Sequence, residues 1–322
     1  MMTIGALGMV TAAQALDAQG HRGARGLVPE NTLASFARAL AIGVNTLELD
    51  VGVTRDSIVI VTHNPRLEPE TTRDSEGNWL TETGPAIGSL TLDQIKTFDV
   101  GGIKPGTRYS ERFPHQVSVD GARIPTLEEV ILLVKRSGNQ SVRLNIETKL
   151  NPMDTDLFPE PKEFVEAVLE VAHKQDFIER ITIQSFDWRT LQETQRQAPT
   201  VPTSYLTVQQ DWYDNLHNDE TGPSPWTAGY DIDAFSGSIP HMIKAAGGSI
   251  WSPYYREVSA DKVHQAHELG LEVKVWTVND RQQMEALIIM GVDGIITDYP
   301  DRLREVLQQQ GMQTPAQTPV SP

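Results

Sequence analysis

The sequence predicts a closed parallel barrel of the (β/α)8 type. Short apolar runs alternate with amphipathic stretches about eight times, and the repeats occupy roughly 250 of the 322 residues. Several amphipathic stretches begin at Ser, Thr or Asp and end in glycine, as helices set between strands do. Strand followed by helix, repeated, is the pattern of a parallel sheet. Eight repeats in this length favour closure over an open sheet.

The elements follow in order. GHRG (20–23) is the first strand-like run, followed by the helical TLASFARALAIG with Thr32 as its expected N-cap. NTLELDV (45–51) is the second strand, and DSIVIVTHN (56–64) adds an extra one that turns back in a hairpin through Arg55 and Asp56. Residues 65–125 are rich in Gly, Pro, Thr and charge and read as an insertion at one edge of the barrel. TLEEVILLVKRSG, capped by Thr126, resumes the alternation, which continues through VRLNIETK (142–149), PKEFVEAVLEVAHKQ, RITIQSF (180–186), DWRTLQETQRQ and TSYLTV (203–208). The long connection 209–247 carries Trp212, Tyr213, Trp226, Tyr230 and Phe235, which either roof a pocket or pack the loop onto its own barrel. SIWSPY (249–254), SADKVHQAHELG capped by Ser259, EVKVWTV (272–278), DRQQMEALIIMG capped by Asp280, DGIITDY (293–299) and DRLREVLQQQG complete the set. A single barrel domain over 20–308 results, with a polar, Pro-rich tail at 309–322 expected to be flexible.

Composition narrows the function. A net charge of -16 argues against nucleic-acid binding, which needs a basic surface, yet leaves room for a local basic pocket that takes a small anion. With no cysteine, thiolate metal sites and a Cys nucleophile are excluded, so any metal is held by oxygen or imidazole. Residues 1–19 resemble the trimmed end of a secretory signal: Ile4–Ala13 is apolar and Ala13-Gln14-Ala15 has the A-x-A form, though no basic residue precedes it. That predicts a periplasmic or secreted protein, with the cytoplasm as the alternative. No run is long and apolar enough to insert stably in a membrane.

Two carboxylates in LELD, Glu48 and Asp50, lie two apart on a strand and so point to one face. Alone, the two read rather as structural carboxylates salt-bridged to neighbouring cations. NIETK repeats the spacing with Glu147 and Lys149 at the end of the next barrel strand, and three carboxylates from adjacent strand ends make an oxygen-rich site of the kind Mg2+ or Ca2+ takes. Lys149 beside a cation makes sense if a phosphate bridges the two. His21 and His63 each stand near the same mouth, where two imidazoles can take and give protons near neutral pH; a lone His at either place would more often be structural. Arg22 can grip phosphate oxygens in a bidentate way, and Gly23 and Gly26 allow the backbone to approach.

HRGARGLVPENT, ELDV and THN, then IPTLEEV, NIETK, QSFD, VWTVND and GVDGIITDYP, resemble in this order the glycerophosphodiester phosphodiesterase family over roughly residues 20 to 305. Any one fragment is weak, whereas the ordered set is specific. The resemblance implies a TIM barrel that binds one divalent cation, Ca2+ or Mg2+, through Glu48, Asp50 and Glu147. It implies that His21 and His63 are the acid/base pair and that Arg22 and Lys149 meet the phosphate. Glu30, in Pro-Glu-Asn, matches a family residue in or just behind the site and is grouped with the substrate-binding positions. Gln184, Phe186 and Trp276 match strand ends that line the substrate, with the barrel core as the alternative place for Phe186. The implied reaction turns a small glycerophosphodiester into sn-glycerol 3-phosphate and an alcohol; we take His21 as base and His63 as acid, with the reverse assignment open and with water or the glycerol 2-hydroxyl as the attacking group. Lysophospholipid or sphingolipid cleavage in the phospholipase D manner is the alternative on the same barrel. Asn64 stands where the family more often has Asp, and the loop 209–247 has no family counterpart, so the resemblance leaves the choice of alcohol open.

Overall fold

In the computed structural model, which describes residues 15–216 and 221–322, the sheet closes on itself. In chain order the elements are β1 (Asp17–Gly20), α1 (Leu33–Ile42), β2 (Thr46–Val53), β3 (Val59–Val61), α2 (Leu92–Ile95), α3 (Arg108–Arg112), α4 (Leu127–Arg136) and β4 (Arg143–Thr148). Then come α5 (Pro161–Lys174), β5 (Ile181–Ser185), α6 (Trp188–Gln197), β6 (Thr203–Thr207), β7 (Gln209–Gln210), β8 (Tyr213–Asp214) and α7 (Ile239–Ala245). The chain ends with β9 (Ile250–Pro253), α8 (Ala260–Glu268), β10 (Glu272–Val275), α9 (Arg281–Met290), β11 (Gly294–Thr297) and α10 (Pro300–Gln309). Eight parallel strands run β1, β2, β4, β5, β6, β9, β10, β11 around the barrel, and β11 pairs back on β1. This is the (β/α)8 barrel that the alternation predicts.

Strand pleating sorts the residues. On β2 and β4, Leu47, Leu49, Val51, Leu144 and Ile146 have no exposed surface and face the helix layer, while Glu48, Asp50 and Glu147 take the other face. Truncating such a side chain, as in Leu49→Ala, costs about 2–5 kcal/mol. All four expected N-caps form: Thr32, Thr126, Ser259 and Asp280 each accept a backbone N–H from the first helical turn, and Thr126 completes a capping box with Glu129.

Four expectations differ. The first strand is Asp17–Gly20, not 20–23, because Arg22 and Gly23 have φ of 50° and 89° and cannot continue a strand. A Cβ at Gly23 would also stand 2.6 Å from Ser35 Oγ, so the turn needs glycine there. The barrel thus starts within what composition assigns to the leader, whose residues 1–14 lie outside the described residues. The stretch 209–247 is not all loop: it holds the hairpin β7–β8 and then α7, the barrel helix that pattern misses, seven residues long with Pro240 in its first turn and only Ile239, Met242 and Ile243 as apolar anchors. The tail has no regular structure but lies along the barrel, with Thr318 N–H donating to Leu40 C=O at 2.9 Å and Met312 and Val320 packed on the core.

The insertion has a small core of its own, formed by Leu67, Ile87 and Ile95 with Ile60 of β3 and Ile124. Arg73 cross-links it, donating to Asp99 at 3.2 Å and Asp120 at 2.7 Å with its guanidinium over Trp79. It is docked against one side of the barrel mouth, and α3 reaches into that mouth. Among the described residues, no helix is long and apolar enough to cross a membrane.

Candidate active site

Every barrel strand delivers its last residues to one mouth. The turn after β1 points the Arg22 N–H at Glu48 Oε2, 2.9 Å away, which holds the tip of β2 beneath the basic loop. Parallel register sets Asp50 beside Glu147 and Glu147 beside Gln184. As a result, oxygens of Glu48, Asp50 and Glu147 lie within 4.8 Å of one another, all three side chains buried.

Buried like charges at this separation oppose ionisation. Burial, then Asp50 and Glu147, push the Glu48 carboxyl well above the usual carboxylate range. Burial also raises Glu147, to about 7, against the opposing pull of Lys149 at 2.6 Å. For Asp50 burial acts upward too, but Arg22, His63 and Lys149 outweigh it and hold the group well below its usual range. Asp50 accepts from Asn31 Nδ2 at 3.0 Å through Oδ2, while its buried Oδ1 accepts no hydrogen bond. Three crowded carboxylates and a buried acceptor without a donor are what a divalent cation would satisfy.

The cations stand around this cluster. Arg22 Nη1 donates to Glu30 Oε1 at 2.6 Å and its Nε lies 3.1 Å from Asp50 Oδ2. Burial works against the charge on Arg22, but Glu30, Asp50 and Glu48 more than compensate and keep it protonated. Lys149 Nζ reaches Glu147 and lies 3.7 Å from Asp50 Oδ1.

The two imidazoles differ in their anchoring. His21 Nδ1 lies 2.7 Å from Asp298 Oδ1, so that with Nδ1–H donating, Nε2 faces the carboxylates, 3.9 Å from Glu48. Asp298 is itself gripped by Arg25 at 2.7 and 3.1 Å and by Asn279 Nδ2 at 2.7 Å. Burial and then Arg25 lower His21 to about 4, against the pull of Asp298. His63 is lowered well below its usual value by burial, Arg22 and Lys149, and its Nδ1 meets the neighbouring Asn64 side chain.

A cavity of about 370 Å³ opens above these groups, lined by ten of the eleven residues picked from sequence; the eleventh, Asp50, lies beneath it in the cluster. Gln184 does more than line the cavity. Its Nε2 donates to Glu48 Oε1 at 2.8 Å, while its Oε1 accepts from Asn145, which also donates to Gln19. The amide therefore orients a carboxylate of the cluster as well as lining the cavity. Phe186 and Trp276 are half-buried and in edge contact at 5.4 Å, so Phe186 is a wall and not core. Glu30 is held from both sides, by Arg22 and by the Tyr109 hydroxyl of α3.

Sequence reasoning assigned no role to Arg25, Asn31, Asn279, Asp298 or Tyr109. Asp298 had a signal, since it directly follows a barrel strand as His21 does. Tyr109 had none: nothing local marks residue 109 of an insertion as a partner of residue 30.

Known proteins share this arrangement of sequence and fold. The profile of the Glycerophosphoryl diester phosphodiesterase family matches residues 21–302. A glycerophosphodiester phosphodiesterase of Caldanaerobacter subterraneus subsp. tengcongensis is 30% identical over 291 residues, covering 90% of this chain and 97% of that one. A crystallised protein of Silicibacter pomeroyi, assigned to the glycerophosphoryl diester phosphodiesterases, superposes with a TM-score of 0.83 at 38% identity over 94% of this chain and 96% of its own. A phosphodiesterase of Oleispira antarctica, solved in complex with the product sn-glycerol-3-phosphate, shares the fold with a TM-score of 0.65 at 21% identity, covering 91% of this chain and 97% of its own.

Proposed function

This chain belongs to the glycerophosphoryl diester phosphodiesterase family, whose members hydrolyse glycerophosphodiesters and depend on a divalent metal, and from that premise we propose the finer course of its reaction. The products are sn-glycerol 3-phosphate, the compound held by the Oleispira antarctica relative, and the free alcohol. The observation that carries this reading is the convergence of Glu48, Asp50 and Glu147 with Arg22, Lys149 and both imidazoles at one mouth.

Ca2+ or Mg2+ held by Glu48, Asp50 and Glu147 would polarise a phosphoryl oxygen and offset the charge of the diester. Arg22 and Lys149 bind the remaining phosphate oxygens and stabilise charge that grows on them as the attacking oxygen adds. His21, with Nδ1–H fixed on Asp298, presents Nε2 as the base that takes the proton from that oxygen. His63 gives a proton to the oxygen of the departing alcohol as the P–O bond to it breaks. The negative charge of the bound diester beside His63 opposes Arg22 and Lys149, the two cations that hold its proton affinity down in the free protein.

The test is glycerol 3-phosphate release from glycerophosphocholine, first with a chelator and then with Ca2+ or Mg2+ restored. Release that stops with chelator and returns with metal supports the reading. A folded sample that under either metal releases nothing from glycerophosphocholine or from the ethyl ester of glycerol 3-phosphate sinks it.

A further inference from the structure

Two cavities of different chemistry meet at the phosphate position. They share His63, Asn64, Glu147, Lys149, Phe186 and Trp276, so a diester seated there has one arm in each. The first is walled by charged and hydroxyl groups, among them Glu30, Glu68, Glu70, Tyr109 and Arg112. The second, of about 440 Å³, is walled by Leu150, Phe158, Trp212, Tyr213 and Trp226. Its far wall comes from the connection 209–247.

Perpendicular ring contacts keep this second cavity open. Tyr213 meets Phe186 at 5.4 Å and Trp226 at 5.6 Å, both edge-on, and Trp212 meets Tyr254 the same way at 5.6 Å. Burial is graded along it, from Trp226 at 8% exposure to Trp212 at 62% where the cleft meets solvent. A large exposed indole at the mouth of an apolar cleft has surface to gain from an apolar occupant.

The occupant is an uncharged chain and not an ammonium. A quaternary ammonium would look for free ring faces and a nearby carboxylate. Lys149 Nζ already stands 5.9 Å from the Phe186 ring centre, and among the described residues the one carboxylate lining the cleft, Glu147, is committed to Lys149 and to the acidic cluster. A second cation would meet repulsion from Lys149 there.

We propose that this cleft binds the departing alcohol and selects glycerophosphodiesters whose alcohol carries an apolar chain, with the glycerol arm in the polar cavity. The assignment rests on the phosphodiesterase reading above. Each methylene that enters an apolar site is worth about a fourfold gain in binding.

The test compares kcat/KM for the ethyl and octyl esters of glycerol 3-phosphate, with glycerophosphocholine as reference, in the wild type, Trp212→Ala and Trp212→Phe. The wild type is expected to favour octyl over ethyl by about tenfold or more. Trp212→Ala should lose most of that ratio and Trp212→Phe should keep it. Equal rates on ethyl and octyl, or a ratio that survives Trp212→Ala, overturn the proposal while release from glycerophosphocholine leaves the phosphodiesterase reading intact. A 1-octanoyl lysophospholipid supplies the other arm: a chain preference that Trp212→Ala abolishes there, and not on the alkyl esters, overturns the placement of the alcohol. Loss of turnover on every diester by the folded enzyme would overturn the phosphodiesterase reading and this one with it.

Discussion

At the N-terminal end of the barrel, Lys274 Nζ lies 2.8 Å from Asp17 Oδ2 and 3.0 Å from Glu272 Oε2. Asp17 also accepts from Thr46 at 2.8 Å and Gln19 at 2.9 Å. Burial opposes the charge on Lys274, yet Asp17 and Glu272 prevail and raise its proton affinity. Gly294, between the two strands, makes room: a Cβ there would stand 3.0 Å from Lys274 Cγ and 3.1 Å from Asp17 C=O. At the C-terminal mouth the same barrel holds Glu48, Asp50 and Glu147, with Glu48 and Glu147 raised and Asp50 Oδ1 without a donor. One end has its charges matched within the protein, and the other keeps a surplus that a cation and an anionic substrate are needed to settle. A polar ladder joins them through the barrel interior, from Asp17 by Gln19, Asn145 and Gln184 to Glu48. The contrast teaches that buried charge marks function where it is left unmatched, not where it is merely present.

Four measurements press on this contrast. At the mouth, His63→Ala should lower turnover by about 10²–10⁴-fold while leaving the denaturant midpoint near that of the wild type; a variant that turns over normally removes His63 from the reaction. At the opposite end the effects should invert. Lys274→Met leaves the half-buried Asp17 without its cation, so unfolding free energy should drop by about 1–3 kcal/mol, with kcat per folded molecule unchanged. A loss of kcat with intact stability would mean that the ladder transmits more than support.

The third measurement is the pH dependence of stability in chelator. Glu147 in the fold titrates at about 7, above its unfolded value, so the folded state holds the proton more tightly than the unfolded one. Its own contribution to the stability of the metal-free protein should therefore be lost as pH rises from about 4.5 to 7, while His21 and His63, whose proton affinity the fold lowers, contribute in the opposite sense over the same range. The stability of the wild type relative to Glu147→Gln should accordingly fall across that window in chelator. A difference that rises with pH there would contradict the surplus. The smallest effect belongs to Tyr109→Phe, which removes one hydrogen bond to Glu30 and loosens Arg22. A rise in KM of about fivefold, larger than any change in kcat, is expected; equal losses in both would place Tyr109 in the chemical step.

The sequence by itself determined the barrel, because strand and helix periodicity is a local property and survives without knowledge of what packs on what. It also determined the orientation of the acidic cluster. Residues two apart on a strand share a face, so Glu48 with Asp50 and Glu147 with Lys149 had to point together, and the ordered motifs singled out His21 and His63. What the tertiary structure alone decided are pairings across the barrel. His21 meets Asp298 across 277 residues, Gln184 meets Glu48 across 136, and Tyr109 meets Glu30 across 79. The same holds for α7, too short and too sparsely apolar to stand out until the barrel supplies its partner surface, and for the aromatic cleft, whose walls come from the connections after β3, β4, β5, β6 and β10. A chain pattern encodes which way a side chain points along its own element. Which side chain it meets depends on barrel closure, which brings strand ends together however far apart they lie in the sequence.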